Sequence, residues 1–140
     1  MKILTVTAAL AATVAFYAVS AMADTRRDAI LVEFLSQAKQ EDPSFTAFSA
    51  ERGKAFFHAK QTGGKPDTQS CTTCHTETPQ AKGRTRAGKE IDPIAVSSTP
   101  TRFTDPEEVA KWFGRNCNSV LGRECTAVEK GDFITFMTGQ

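Results

Sequence analysis

The sequence predicts an all-α domain in which a few helices and long loops wrap around a body that is not polypeptide. Three features of its 140 residues predict this. Four stretches carry helical periodicity or helix-start chemistry. No stretch carries a convincing strand signal. The helices are few for the amount of loop, and long loops in a compact domain need something to wrap around.

The elements follow in order. "DTRRDAILVEFLSQAKQED" puts Ile30, Leu31, Phe34, Leu35 and Ala38 on one face, as an amphipathic helix does. "SAERGKAFFHAK" reads as a second helix, capped by Ser49. "QTGGKPDTQS" is loop, and residues 76–103 are rich in Gly, Pro, Ser and Thr with little periodicity. The next helix is expected over Pro106 to Asn116. Asp105 is its N-cap, Pro106 suits its first position, and Glu108 completes a capping box. "TAVEKGDFITFM" repeats the device with Thr126 and Glu129.

The first 23 residues are read as a leader rather than as fold. Lys2 precedes an uncharged apolar run, Ile3 to Val19, and "AMA" at Ala21 to Ala23 has the small-x-small form of a signal peptidase site. The run is short for a membrane span, which takes roughly 20 apolar residues. The expectation is cleavage after Ala23 and export to the periplasm, leaving one domain over residues 24–140 that is not inserted in a membrane. Cleavage would remove Lys2 alone among the charges and leave 16 Lys+Arg against 16 Asp+Glu. That balance gives no basic footprint for nucleic acid. All four cysteines lie in the exported part, where disulfides persist.

"CTTCH", Cys71 to His75, is the attachment signature of c-type haem. Two thiols add to the two vinyl groups of the porphyrin, and the adjacent His reaches the iron as proximal ligand. The rivals are weaker. A thioredoxin-like pair expects a βαβ context. A zinc site needs four N/S ligands, and His58 is the only other histidine. One covalent haem c, held by Cys71, Cys74 and His75, is the expected cofactor. "RGKAFF" ahead of the motif resembles the opening of class I cytochromes c. There Gly53 and Phe57 would pack on Phe133 or Phe136 of the last helix.

The occupant of the sixth iron position decides function. Met137, sixty-two positions after His75, is one candidate, although it sits on a helical pattern among phenylalanines. The other lies on the Pro106–Asn116 helix. Val109, Trp112, Phe113 and Asn116 fall at i, i+3, i+4 and i+7. Asn116 either caps the helix end or has a partner in the core. Trp112 reads as haem-packing core, and Arg102, in a basic run from Lys82, as a partner for a haem propionate. By likeness to the proline after the haem motif in class I cytochromes c, the carbonyl of Pro93 is the expected acceptor for the second ring nitrogen of His75.

From Glu51 onward the chain resembles the sphaeroides-haem-protein, or SHP-type, family of small, secreted, oxygen-binding monohaem cytochromes c. "QTGGKPDTQSCTTCH", "RTRAGKEIDPIAVSSTPTRFTD" and "KWFGRNCNSVLGREC" carry the resemblance, over most of residues 51–125. It implies a small class I cytochrome c-like fold wrapped around one covalent haem. It also implies Asn116 as sixth ligand of the oxidised iron and Cys117–Cys125 as a disulfide. An amide oxygen is a hard donor that suits ferric iron better than ferrous. Reduction should therefore release Asn116 and open a site for O₂, NO or CO. Asn118 is the decoy amide, expected past the helix end in turn or cap duty. The resemblance names a dihaem cytochrome c and a membrane cytochrome b as electron donors. The rival functions are a His/Met electron shuttle using Met137 and an enzyme turning over NO, O₂ or peroxide. No distal His or Glu stands ready for acid–base help, so a carrier and gas-binding protein is expected rather than a peroxidase.

Overall fold

The computed structural model describes residues 7–140, with side chains from Met22 onward. The elements are α1 (Thr7–Glu41), α2 (Ala50–His58), α3 (Thr72–His75), β1 (Gly83–Arg84), β2 (Glu90–Ile91), α4 (Pro106–Leu121) and α5 (Ala127–Thr138). Of the expected leader, residues 1–6 lie outside the described residues, and residues 7–23 form the first part of α1, with side chains described only from Met22 onward. Among the described residues no helix is long and apolar enough to cross a membrane.

The core forms where α5 packs against α2 and α1. Phe133, Ile134, Phe136 and Met137 are all buried there, because α5 is apolar on most of its circumference. α1 meets it with the predicted face: Ile30, Phe34 and Ala38 are buried, with Leu31 and Leu35 half-buried beside them. Phe57 of α2 is fully buried, its ring 6.0 Å from Phe133 and 5.9 Å from Phe136.

The expected α2–α5 crossing is present, and Gly53 permits it. A Cβ at Gly53 would collide with the Asp132 carbonyl oxygen and sit 2.9 Å from Phe136 Cβ. The same crossing buries a charge. Asp132 is 3% exposed, and its carboxylate accepts from Ser49 N (2.7 Å), Arg52 Nε (2.7 Å) and Arg52 Nη2 (2.8 Å). A forked guanidinium and a backbone donor together satisfy it.

Caps define the last two helices. Thr126 and Glu129 form a complete capping box. Asp105 accepts from the N–H groups of Glu107 and Glu108, but Glu108 does not reach back to complete its box. Its carboxylate turns forward to Lys111 Nζ and Trp112 Nε1, both at 2.7 Å.

α4 continues five residues past its expected end at Asn116. It stops at Gly122, which takes the left-handed cap conformation at φ 71°. A buried stripe of Val109, Cys117 and Val120 keeps the helix attached to the core over this extra length. β1 and β2 form an antiparallel hairpin, Gly83 opposite Ile91 and Arg84 opposite Glu90. Two residues per strand are too few to show alternation in a sequence.

Candidate functional site

The "CTTCH" motif folds as one tight turn. Ser70 prepares it: its hydroxyl accepts from Thr72 N (3.2 Å) and donates to Phe57 O (3.2 Å), which fastens the turn to α2. The N–H groups of Cys74 and His75 both donate to Cys71 O, at 3.3 and 3.1 Å. Spacings of i, i+3 and i+4 place the two thiols and the imidazole on one side of that turn. Both cysteines are free thiols. Burial pushes Cys71 up to about 11. Burial, and after it the charge of Arg102, pushes His75 down to about 4. The imidazole is therefore neutral near pH 7, the form that ligates a metal.

Loop residues 76–103 form the floor under this turn. Gly83 lies directly beneath it, where a Cβ would collide with Cys74 O and stand 3.1 Å from His75 Cα. Pro79 O accepts the N–H groups of Ile94 and Ala95, each at 3.0 Å. The expected Pro93–His75 hydrogen bond is not formed. Pro93 O accepts instead from Thr99 Oγ1 (2.9 Å) and Arg102 Nε (3.1 Å), which takes both lone pairs. Arg102 Nη2 reaches Asp92 O at 2.7 Å. Arg102 is thus part of the floor beside His75, with its guanidinium largely committed to loop carbonyls.

Opposite stands α4. Its expected apolar face divides in two. Val109 is buried and Phe113 half-buried, with Phe113 5.6 Å from Phe133 and 6.3 Å from Phe34. Trp112 and Asn116, one turn apart, occupy the adjoining flank and are exposed. Trp112 is 46% exposed and is not part of the protein core. Lys111 Nζ and the Arg115 guanidinium lie 5.3 and 5.2 Å from its ring. Asn116 has no hydrogen-bond partner among the described residues. Asn118 is helical rather than past the helix end, and its amide donates to Gly114 O at 2.7 Å.

Cys117 and Cys125 are joined as a disulfide, their Cα atoms 5.6 Å apart. The loop ahead of "CTTCH" hangs from the same end of α4. Ser119 O accepts from Lys65 N (2.7 Å) and Thr68 Oγ1 (3.1 Å). One short loop therefore links the helix of Asn116 to the turn of His75.

These residues fit a haem c. The motif supplies one imidazole, His75, and two free thiols, Cys71 and Cys74. Cys71, Phe103 and Phe113 each pack against the hydrophobic core and are each only partly buried. Partly open apolar side chains around the core suit an apolar macrocycle held through Cys71. The other candidates lie elsewhere. Met137 is fully buried in the core. His58 bonds Glu77 Oε2 at 2.8 Å. Sequence reasoning missed Ser70, whose role depends on the distant Phe57, and the buried Arg27, whose partners Pro100 and Arg102 are equally distant.

Comparisons with known proteins agree with this geometry. A family model described as a domain of unknown function, DUF1924, matches residues 43–137. Cytochrome c-type protein SHP of Cereibacter sphaeroides is 59% identical over 91 residues, 65% of this chain and 70% of that protein. The structure of oxidised SHP, an oxygen-binding cytochrome c, superposes with a TM-score of 0.75 at 48% identity, over 81% of this chain and 96% of that one. The solution structure of cytochrome c'' from Methylophilus methylotrophus, described with insights into haem-ligand detachment, gives 0.71 at 32% identity, over 83% and 94%. The chain belongs to the DUF1924 family and, within it, to the SHP-type cytochromes c, small helical proteins with one covalently bound haem c.

Proposed function

We propose that this chain is an exported electron carrier that also binds a diatomic gas, O₂, NO or CO, on the Asn116 side of its haem. Residues 1–23 direct it to the periplasm and are removed. When bound, the haem would supply a redox-active iron. Cys71 and Cys74 hold it covalently, His75 ligates on one side, and Asn116 ligates on the other when the protein is oxidised.

The observation that carries this reading is the contrast between two neighbouring amides. Asn118 spends its amide on Gly114 O. Asn116 stands one turn from Trp112 with its amide unspent among the described residues. Its carbonyl oxygen is a hard donor that binds the oxidised state better than the reduced one. On reduction Asn116 lets go, and its NH₂ becomes a donor toward whatever gas enters. The disulfide beside it limits how far the helix end can shift. Oxygen binding in SHP and haem-ligand detachment in cytochrome c'' support the reading by likeness. Arg102 serves the propionate edge, and Trp112 the distal wall. The electron donors, again by likeness, are a dihaem cytochrome c and a membrane cytochrome b.

The test is rapid mixing of the reduced protein with CO. An open distal side predicts uptake whose rate rises in proportion to CO concentration. A rate that levels off at a CO-independent limit would mean that a protein ligand must leave first, and the proposal fails.

A further inference from the structure

Arg27 lies on the core face of α1 and is 2% exposed. A guanidinium removed from water is costly unless its donors are met, and an apolar side chain of similar length often serves packing as well or better. One donor goes to Asp24, itself 66% exposed, at 2.7 Å. The others go to main chain far away in sequence: Nη2 to Pro100 O at 2.7 Å and Nε to Arg102 O at 3.2 Å. Arg102 then binds Asp92 O and Pro93 O. The segment so fastened continues into Ile94 and Ala95, which bond Pro79 O under the haem-motif turn. Two arginines in series therefore join α1 to the floor beneath His75.

We propose that Arg27 is a positioning residue. It fixes the 100–102 turn, and so the place where Arg102 holds its positive charge in the loop that floors the haem-motif turn, which raises the reduction potential of the haem. Reduction removes a positive charge from the iron, so a nearby cation favours the reduced form. The inference rests on the haem reading.

The test is redox titration of the exported holoprotein, with thermal denaturation alongside. Arg27→Met should lower the reduced-to-oxidised ratio several-fold at a fixed electrode potential, on a scale where tenfold is about 59 mV for one electron. Arg27→Lys keeps one donor for the turn and should fall between wild type and Arg27→Met. It also serves as the reporter if Arg27→Met does not assemble. In an Arg102→Gln background, neither Arg27 substitution should lower the ratio further. A lower melting temperature with an unmoved potential in either single variant would reduce Arg27 to a packing role and overturn the proposal. Equal falls in both backgrounds would also overturn it, because Arg27 would then act without Arg102. A wild-type protein with no haem spectrum would sink the haem reading itself, a separate outcome.

Discussion

Asn116→Ala and Asn118→Ala, two residues apart on α4, should separate stability from ligation. Asn118→Ala removes a hydrogen bond of 2.7 Å to Gly114 O on the exposed side of the helix. Its net loss is about 0.5–1 kcal/mol, and Ala returns about 0.5 kcal/mol of helix propensity. The sum is within about 0.5 kcal/mol of zero, the usual range for a surface change. Asn116→Ala has the same propensity gain and no side-chain hydrogen bond among the described residues to lose, so polypeptide stability should hold or rise slightly. The spectra should behave oppositely. Asn118→Ala leaves both oxidation states nearly intact. Asn116→Ala opens the oxidised iron to water and azide, speeds gas uptake by the reduced protein, and quickens gas release by removing the amide donor. The assay is azide titration of the oxidised form and CO and O₂ kinetics of the reduced form, with thermal denaturation of both variants. Equal spectral changes in the two, or a change confined to Asn118→Ala, would refute the assignment.

Three further outcomes follow from the same geometry. Gly53→Ala places a methyl group against the Asp132 carbonyl; an overpacking cost near 3 kcal/mol against a propensity gain near 1 predicts a net loss of about 2 kcal/mol in urea denaturation, and an unchanged midpoint would show that the α2–α5 crossing can yield. Cys117→Ser with Cys125→Ser should keep haem attached through Cys71 and Cys74, cost about 2.5 kcal/mol by loop-closure entropy over nine residues, and make the oxidised spectrum mixed; wild-type protein with both thiols free by mass spectrometry would contradict the pairing. Glu129 is held below its usual range chiefly by its hydrogen bond to Arg123, so its contribution is present above about pH 4.5 and is lost as pH falls through the lowered value; Glu129→Gln should cost about 1 kcal/mol at pH 7 and progressively less below pH 4.5, and a difference that grows with acid would reverse the sign of the argument.

Much of this was legible in the sequence because the signals were local. Asp105 and Thr126 announce their helices through side chains that reach only three residues. The spacing of "CTTCH" contains its own chemistry. Gly53 was readable because a glycine inside a helix is expensive unless something approaches it. What escaped depended on partners distant in sequence. Arg27 drew no reading, since only the distant Pro100 and Arg102 make its burial tolerable. Pro93 was given to His75 because its competitors Thr99 and Arg102 become neighbours only in the folded loop. The end of α4 was misplaced because Gly114 looks like a terminator, whereas the stripe through Cys117 and Val120 carries the helix on to Gly122. Periodicity put Trp112 and Asn116 on one face with Val109 and Phe113, and it cannot tell the two flanks of such a face apart.

The most direct test of the account is the absorption spectrum of the purified protein in both oxidation states, with and without CO. The account predicts an oxidised form lacking the long-wavelength sulfur-to-iron band that a methionine ligand gives. It predicts a high-spin reduced form whose spectrum shifts at once on adding CO. A low-spin reduced spectrum unmoved by CO, with the sulfur band present in the oxidised form, would contradict the release of Asn116 and make Met137 the ligand.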